Sequence, residues 1–190
     1  MRLHARLHGG AEGFEGFSAT FYDFVASRLL RRVYRRLAQD VAAQAGEGAT
    51  VLDIGTGPGV LLDELAKQRP DLTVTGVDRS ADMVAAAQRK LARYGTRASA
   101  HTGDAADLPF TDGAFDLVVS SLSLHHWDRP AEAGRELARV LRPGGRICIY
   151  DVPAAPFDEL VTDGRKPERT PLKVRIPFMP ALVRVVVPAP

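Results

Sequence analysis

Residues 50 to 152 repeat one pattern: a short apolar run, a turn rich in Gly, Asp or Ser, and a segment with apolar residues at every third or fourth position. Successive apolar residues are typical of strands buried on both faces, and the wider spacing is typical of amphipathic helices. The pattern predicts strands at 50–54, 73–78, 97–101, 115–120 and 146–151, and helices at 60–69, 81–94 and 130–141. Such alternation predicts an α/β fold with a doubly wound, mostly parallel sheet.

The two ends of the chain differ from this core, which we assign to residues 49–152. Residues 1–17 are rich in Gly, His and Arg without sustained periodicity and are predicted to form a flexible arm. Residues 18–48 predict an N-terminal amphipathic helix that ends near Gly46, with arginines opposite its apolar positions. Eight of the thirteen prolines fall in residues 153–190, which predict an abbreviated C-terminal end that completes or covers the sheet edge. Its weak strand candidates are 172–176 and 182–187.

Composition narrows the class of protein. The chain has 190 residues, of which 45% are hydrophobic and 25% charged, as in one compact domain. The formal net charge of +2 gives no strong field that would imply nucleic acid or acidic lipid as a partner. Cys148 is the only cysteine, no uncharged apolar run is long enough to span a membrane, and the N-terminus lacks a secretory signal. We therefore expect a cytoplasmic protein without a membrane span, and we predict no metal site.

A glycine loop follows the first predicted strand in the sequence VLDIGTGPG. Gly55, Gly57 and Gly59 give the spacing G-x-G-x-G, which differs from the dinucleotide fingerprint G-x-G-x-x-G. The phosphate-binding sequence G-K-[ST] does not follow, so a P-loop is excluded. Asp53 would repel a pyrophosphate and attract a cationic ligand group. The loop therefore predicts a ligand site and disfavours NAD.

Acidic residues stand at the ends of three successive predicted strands: Asp53, Asp78 and Asp104. Each alone is an ordinary turn residue. Asp78 follows the first glycine by 23 residues, where a βαβ unit delivers a carboxylate to the hydroxyls of a ribose. Asp104 could accept a hydrogen bond from an adenine amine. Together around one glycine loop, the three acids favour a nucleoside site.

Five motifs in order then resemble the S-adenosylmethionine-dependent methyltransferases of the Rossmann-like class: VLDIGTGPG, the acid in GVDRS, GDAADLPF, FDLVVSSLSLHHW and LARVLRPGGRICIYDV. The chain is most similar to the small-molecule branch that includes ubiquinone, menaquinone and natural-product methyltransferases. The resemblance implies S-adenosylmethionine as cofactor. The residues that it assigns to cofactor binding are Tyr22, Asp53, Gly55, Thr56, Gly57, Gly59, Asp78, Arg79, Gly103, Asp104, Ala105 and Ser120. A core role for Tyr22 is an equal alternative.

The loop SLSLHHWD after the fourth predicted strand contains the candidates for a base. Methyl transfer is an in-line displacement, and a base is needed only when the acceptor must lose a proton. His125 and His126 are the candidate bases, and Asp151 at the end of the fifth strand could orient one imidazole, which gives a hypothetical dyad of His126 and Asp151. A packing or capping role for these histidines, and a lid or core role for Trp127, are the alternatives.

The acceptor is predicted to be a small molecule. The sequence [DNS]-P-P-[FYW], which marks family members that methylate exocyclic or glutamine amines, is replaced here by SSLS, so an oxygen or carbon acceptor is favoured over an amine. Of these two, we expect oxygen rather than carbon. One alternative function is a cofactor-binding accessory protein with little or no catalysis. Another is an RNA methyltransferase that uses the arginine-rich helix from Arg28 to Arg36. We expect no DNA partner, and a homodimer could supply a missing wall of the acceptor pocket.

Overall fold

The computed structural model of this chain describes residues 31–160, 167–172 and 181–188. The predicted arm, residues 1–17, and residues 18–30 of the predicted N-terminal helix lie outside the described residues. Within them, seven strands form one sheet: β1 (Thr50–Ile54), β2 (Thr73–Asp78), β3 (Ala98–Thr102), β4 (Phe115–Ser121), β5 (Leu141–Asp151), β6 (Glu168–Pro171) and β7 (Val183–Pro188).

The order of the strands across the sheet is β3-β2-β1-β4-β5-β7-β6. Neighbours among the first five are parallel, whereas β7 is antiparallel to both β5 and β6. The chain builds outward from β1 to β3 and then returns to β4 beside β1, so the winding direction changes between β1 and β4. Open α/β sheets bind ligands at such a switch point, outside the carboxyl ends of the strands. The predicted doubly wound, mostly parallel fold is confirmed.

Helices cover both faces of this sheet: α1 (Arg31–Gln44), α2 (Val60–Gln68), α3 (Ala81–Leu91) and α4 (Pro130–Val140). α1, α2 and α3 share one buried apolar cluster with one face of the sheet. α4 packs on the opposite face, together with a short 3₁₀ helix at Phe157–Leu160. The two layers bury the sheet on both sides, and this is why its strands are apolar at successive positions.

α3 shows how local sequence sets the limits of an element. The Ser80 hydroxyl accepts a hydrogen bond from the Met83 amide at 3.4 Å and caps the helix at its start, as serine commonly does. The α-helix ends at Leu91, three residues before the predicted end at Tyr94. The chain continues as a 3₁₀ segment that contains Gly95 at φ +59°. Gly95, with ψ −137°, lies outside every helical conformation, so no helix continues past it.

The C-terminal end of α1 is held by Arg69, which lies just after α2. One guanidinium nitrogen of Arg69 donates to the carbonyls of Ala42 and Ala45 at 2.8 and 3.2 Å, and another donates to the carbonyl of Gly46 at 2.9 Å. Asp71 accepts from the same guanidinium at 2.7 and 2.8 Å. The C-terminal end of a helix leaves carbonyls without helical partners, and a cation there interacts favourably with the negative end of the helix dipole. Arg69 therefore fixes α1 to the core.

A second polar contact joins α1 to strands β5 and β7, which lie toward one edge of the sheet. The Asp40 carboxylate of α1 accepts from the Tyr150 hydroxyl of β5 at 2.9 Å and from Arg184 of β7 at 3.0 Å. Burial raises the pKa of the Tyr150 hydroxyl well above its ordinary range, so this group remains a donor. The network ties together elements that are more than one hundred residues apart in sequence.

The start of β5 differs from the prediction. The stretch ARVLRPGG was expected to end a helix and turn into a strand at Arg146, whereas β5 begins at Leu141. Leu141 pairs with Phe115, and the next pair joins Arg146 to Leu117, so the strand carries an irregular bulge. Gly144 adopts φ +82°, which only glycine adopts without strain. The Pro and Gly residues thus form a bulge inside the strand instead of a turn before it.

The last two strands lie close to the predicted positions. The candidate at 182–187 is β7, one residue later than predicted. β6 ends at Pro171, just before the candidate at 172–176; Leu172 follows the strand, and residues 173–176 lie outside the described residues. An edge strand tolerates a proline such as Pro171 because one side of its backbone needs no partner.

Candidate functional site

The glycine loop after β1 is fixed to the end of β2. The amides of Gly55 and Thr56 both donate to the carbonyl of Val77, at 2.8 and 3.0 Å. The amide of Gly57 donates to the Asp78 side chain at 2.8 Å. Gly55, Gly57 and Gly59 adopt φ values of +68°, +52° and +72°. The G-x-G-x-G spacing thus supplies three left-handed positions, and the loop needs no ligand to hold its shape.

Asp53 lies beneath this loop and is fully buried. One of its carboxylate oxygens accepts from the Thr56 hydroxyl at 2.8 Å, and the other has no partner. Burial raises the pKa of Asp53 to about 7; the Thr56 hydrogen bond opposes this rise and the charge of Asp78 adds to it. On the neighbouring strand β4, the Ser120 hydroxyl is also buried without a partner. Buried polar atoms are normally hydrogen-bonded, so these two fit a polar ligand.

The two other predicted acids lie at the ends of the next strands. The second oxygen of Asp78 accepts from the Ser80 amide at 2.9 Å. Asp104 accepts from the Ala106 amide at 2.9 Å and from Arg129 at 3.0 Å, and these contacts, the amide first, lower its pKa. Because β1, β2 and β3 are neighbours, the sheet brings the three acids to one edge.

The remaining predicted cofactor residues divide into three groups. Gly103 is half-buried and its amide donates to the carbonyl of Asp78 at 3.1 Å, while Ala105 packs against the buried cluster on the α4 face. Arg79 points away from Asp78 toward an exposed ion pair with Asp128 at 2.6 Å. Tyr22 lies outside the described residues.

The histidine that contacts Asp151 is His125. Its Nδ1 lies 2.7 Å from one oxygen of the fully buried Asp151 carboxylate, and its amide donates to the other oxygen at 3.3 Å. The hypothetical dyad was predicted with His126, whereas this 2.7 Å contact is made by His125. The His126 ring lies 4.0 Å from the His125 ring, centroid to centroid, and burial and the charge of His125 lower its pKa. Both histidines lie in the 3₁₀ turn Leu124–His126, and their ring planes are tilted by 45° to each other.

The start of the same loop contains residues that the sequence did not single out. Leu122 adopts φ +54°, the one left-handed residue other than glycine among the described residues, and its amide donates to the carbonyl of Tyr150 at 2.8 Å. This turn brings Ser123 against Gly55, where an added Cβ would lie 1.8 Å from the serine hydroxyl. Ser123 also accepts from the Trp127 indole at 2.9 Å. Backbone strain of this kind is found at functional loops, and that is the signal that marks Leu122.

The arginine-rich face of α1 is partly used inside the protein. Arg31 and Arg35 lie 3.1 and 3.8 Å from the buried carboxyl group of Glu64 on α2. Arg28 lies outside the described residues. Two of the arginines therefore have a structural partner, and the RNA interpretation remains a prediction. Across the described ranges, no helix is long and apolar enough to cross a membrane, and no group of three metal-ligating side chains is found.

Comparison with known proteins adds to this geometry. The family model of the methyltransferase domain matches residues 51–145, half of the chain. The demethylmenaquinone methyltransferase of Thermus thermophilus is 37% identical over 123 residues, which cover 65% of this chain and 56% of that protein. A ubiquinone/menaquinone biosynthesis C-methyltransferase of Geotalea daltonii is 32% identical over 136 residues, 68% and 57% of the two chains.

Solved structures agree with this fold. The crystal structure of a proposed S-adenosyl-L-methionine-dependent methyltransferase from Methanococcus maripaludis superposes with a TM-score of 0.67 at 31% identity. That superposition covers 70% of this chain and 62% of the other. The chain thus spans between half and two thirds of the length of each of these relatives.

Proposed function

This chain belongs to the Rossmann-like S-adenosylmethionine-dependent methyltransferases, and we propose that it transfers a methyl group from S-adenosylmethionine to a small-molecule acceptor. One observation carries the proposal. A glycine loop is surrounded by three acids at successive strand ends, and the loop after β4 contains a histidine held by a buried carboxylate. Both lie where the winding direction of the chain changes, between β1 and β4. The first part of this arrangement suits a nucleoside with a cationic tail, and the second suits proton removal from an acceptor.

The residues present fit the cofactor. The ammonium group of its methionine portion suits the unpartnered, buried oxygen of Asp53. Asp78 accepts two backbone hydrogen bonds and, as a carboxylate, has acceptor capacity left for ribose hydroxyls. Asp104 would accept from the adenine amine. When bound, the cofactor supplies a methyl group attached to a positively charged sulfur.

His125 is the proposed base. Its Nδ1 faces the Asp151 carboxylate, so the neutral imidazole carries its proton on Nδ1 and leaves Nε2 free to accept one. Asp151 fixes the tautomer and the direction of the ring, and it stabilises the imidazolium that forms when Nε2 takes the acceptor's proton. About one third of the His125 side chain is exposed, so an acceptor can reach it. The protein's part in the reaction is alignment, proton removal and exclusion of water.

The acceptor that suits this base is a hydroxylated aromatic or an enol. Loss of its hydroxyl proton increases the electron density on the oxygen and on the carbon next to the oxygen-bearing carbon, so one base serves either position. The sequence favoured oxygen, whereas the Geotalea relative is named a C-methyltransferase. That name supports carbon as an equal alternative. Identification of the methylated atom in the product by NMR distinguishes the two.

The first experiment tests the cofactor site. Calorimetric titration with S-adenosylmethionine and S-adenosylhomocysteine should show binding of both, and NAD should not bind. Asp78→Ala should weaken both affinities by at least tenfold, because it removes the ribose acceptor and releases the Gly57 amide. A folded chain that binds neither sulfur ligand would contradict the proposal.

The second experiment tests the base. At saturating cofactor, His125→Ala should lower turnover by about 10² to 10⁴, the range for a general base, with cofactor affinity unchanged. His126→Ala is the matched control and should retain most of the turnover, since the ring nitrogen that lies 2.7 Å from Asp151 belongs to His125. Asp151→Asn should also lower turnover, because the His125 ring loses the carboxylate that fixes its tautomer and stabilises the imidazolium. Full turnover by His125→Ala on an acceptor that needs deprotonation would exclude this residue as the base.

A further inference from the structure

Two neighbouring residues of opposite charge end the loop that follows β4. Asp128 lies 2.6 Å from Arg79, which begins the loop after β2. Arg129 lies 3.0 Å from Asp104, in the loop after β3. We call these four residues the charged strap. It joins the loop after β4 to each of the two loops predicted to hold the adenosine end of the cofactor.

The segment between the strap and the proposed base is short and internally bonded. Only His126 and Trp127 separate His125 from Asp128. The Trp127 amide donates to the carbonyl of Leu124 at 3.0 Å, and the His126 amide donates to the carbonyl of Ser123 at 2.9 Å. A displacement of Asp128 should therefore also move His125, because hydrogen bonds within the turn connect the two residues.

We propose that the charged strap makes the position of His125 depend on occupancy of the adenosine subsite, so that Arg79, Asp128 and Arg129 are positioning residues. The inference rests on the proposed function. Arg129 already donates to the Asp104 carboxylate, so an adenine amine that binds this carboxylate acts directly on Arg129. Arg129 immediately precedes α4 and directly follows Asp128. A movement of Arg129 therefore acts on the end of the loop that contains His125.

The expected size of the effect follows from exposure. The side chains of the Arg79–Asp128 pair are 64% and 74% exposed, and those of the Arg129–Asp104 pair are 50% and 42% exposed. Exposed ion pairs are weak, so loss of either pair should change the equilibrium between the two positions of the His125 loop by about fivefold at most, or about 1 kcal/mol. The coupling should also weaken as salt is raised, because solvent screens these charges.

The chain provides its own probe, because Trp127 is the only tryptophan and lies inside the loop. Titration of the full chain with S-adenosylhomocysteine is followed by tryptophan fluorescence and, in parallel, by calorimetry. Wild type should give a saturable fluorescence change with the calorimetric affinity. Arg79→Gln and Arg129→Gln should bind within about tenfold of wild type and show less than half of the fluorescence change at saturation.

Two further variants separate the strap from a general loss of surface charge. Exchange of the charges in Arg79→Asp with Asp128→Arg should restore most of the fluorescence change that Arg79→Asp alone abolishes. Arg169→Gln breaks another exposed ion pair, 2.7 Å from Asp158, and should leave the full response. With an accepted substrate, the strap variants should lower kcat more than they raise KM for the cofactor, because they misplace His125.

Three results would overturn the inference. In the first, wild type binds S-adenosylhomocysteine without any tryptophan response. In the second, Arg79→Gln and Arg129→Gln bind it with the full response. Both leave the proposed function standing, because cofactor binding is measured independently by calorimetry. In the third, wild type binds no S-adenosylhomocysteine, and both the inference and the proposed function fail.

Discussion

Replacement of Asp53 by asparagine should change how the stability of the fold depends on pH. Burial raises the pKa of Asp53 from 3.8 to about 7, so the folded state binds this proton more tightly than the unfolded state does. The contribution to stability is therefore complete below about pH 4 and is lost as the pH rises through about 7. Asp53→Asn has no proton to lose and should not show this loss.

The magnitude follows from the two pKa values. They differ by about three powers of ten in proton affinity, and each power of ten is worth about 1.4 kcal/mol. Ionisation of Asp53 therefore costs the folded state about 4 kcal/mol in total, and more than half of this cost falls between pH 5 and pH 8. The unpartnered carboxylate oxygen explains why the protein does not recover this cost internally.

The assay is urea unfolding followed by circular dichroism at four pH values from 5 to 8. The free energy of unfolding should fall more steeply in wild type than in Asp53→Asn, by about 2 to 3 kcal/mol over this range. Asp116→Asn is the control: a backbone hydrogen bond from Thr50 and the charge of Arg142 outweigh partial burial and lower the pKa of Asp116, so its titration lies below the range. Equal slopes in wild type and Asp53→Asn would refute the reasoning.

Three other predictions concern single positions. Gly55→Ala should destabilise the fold by more than Gly48→Ala, because both glycines have positive φ but only at Gly55 does the added Cβ meet Ser123; equal losses in thermal unfolding would contradict this. Arg69→Met should lower the free energy of unfolding by about 1 to 2 kcal/mol in urea, since it leaves the carbonyls at the end of α1 without donors, and Arg69→Lys should recover part of the loss. Burial raises the pKa of Cys148 to about 12, so a thiol reagent should react with it only as the chain unfolds, and rapid labelling of the native protein at pH 8 would show that β5 opens.

The parts of the fold that the sequence predicts are those encoded by local pattern. β1 and β2 have the predicted bounds because each is a short run rich in β-branched residues that ends at a turn rich in Gly, Asp or Ser. The convergence of Asp53, Asp78 and Asp104 follows from topology, since parallel neighbours end at one edge. Side-chain detail is not needed for either prediction.

The features that the sequence does not predict depend on turn geometry and on contacts between residues that are far apart in sequence. His125 and His126 are the same residue type at successive positions, and the choice between them is made by a turn that begins at Leu122. Leucine has no tendency toward positive φ, so nothing in the local sequence marks that turn. Arg129 finds Asp104 twenty-five residues away, and only the folded sheet brings them together.

The position of β7 has a consequence for synthesis of the chain on the ribosome. β7 is the last strand in sequence, yet in the sheet it lies between β5 and β6. Until residues 183–188 have emerged, one long edge of β5 has no partner, and β6 has no strand to pair with among the described residues. An open apolar edge is a template for association with other chains. A nascent chain of this protein therefore exposes the edge of β5 to other chains until residues 183–188 have left the ribosome.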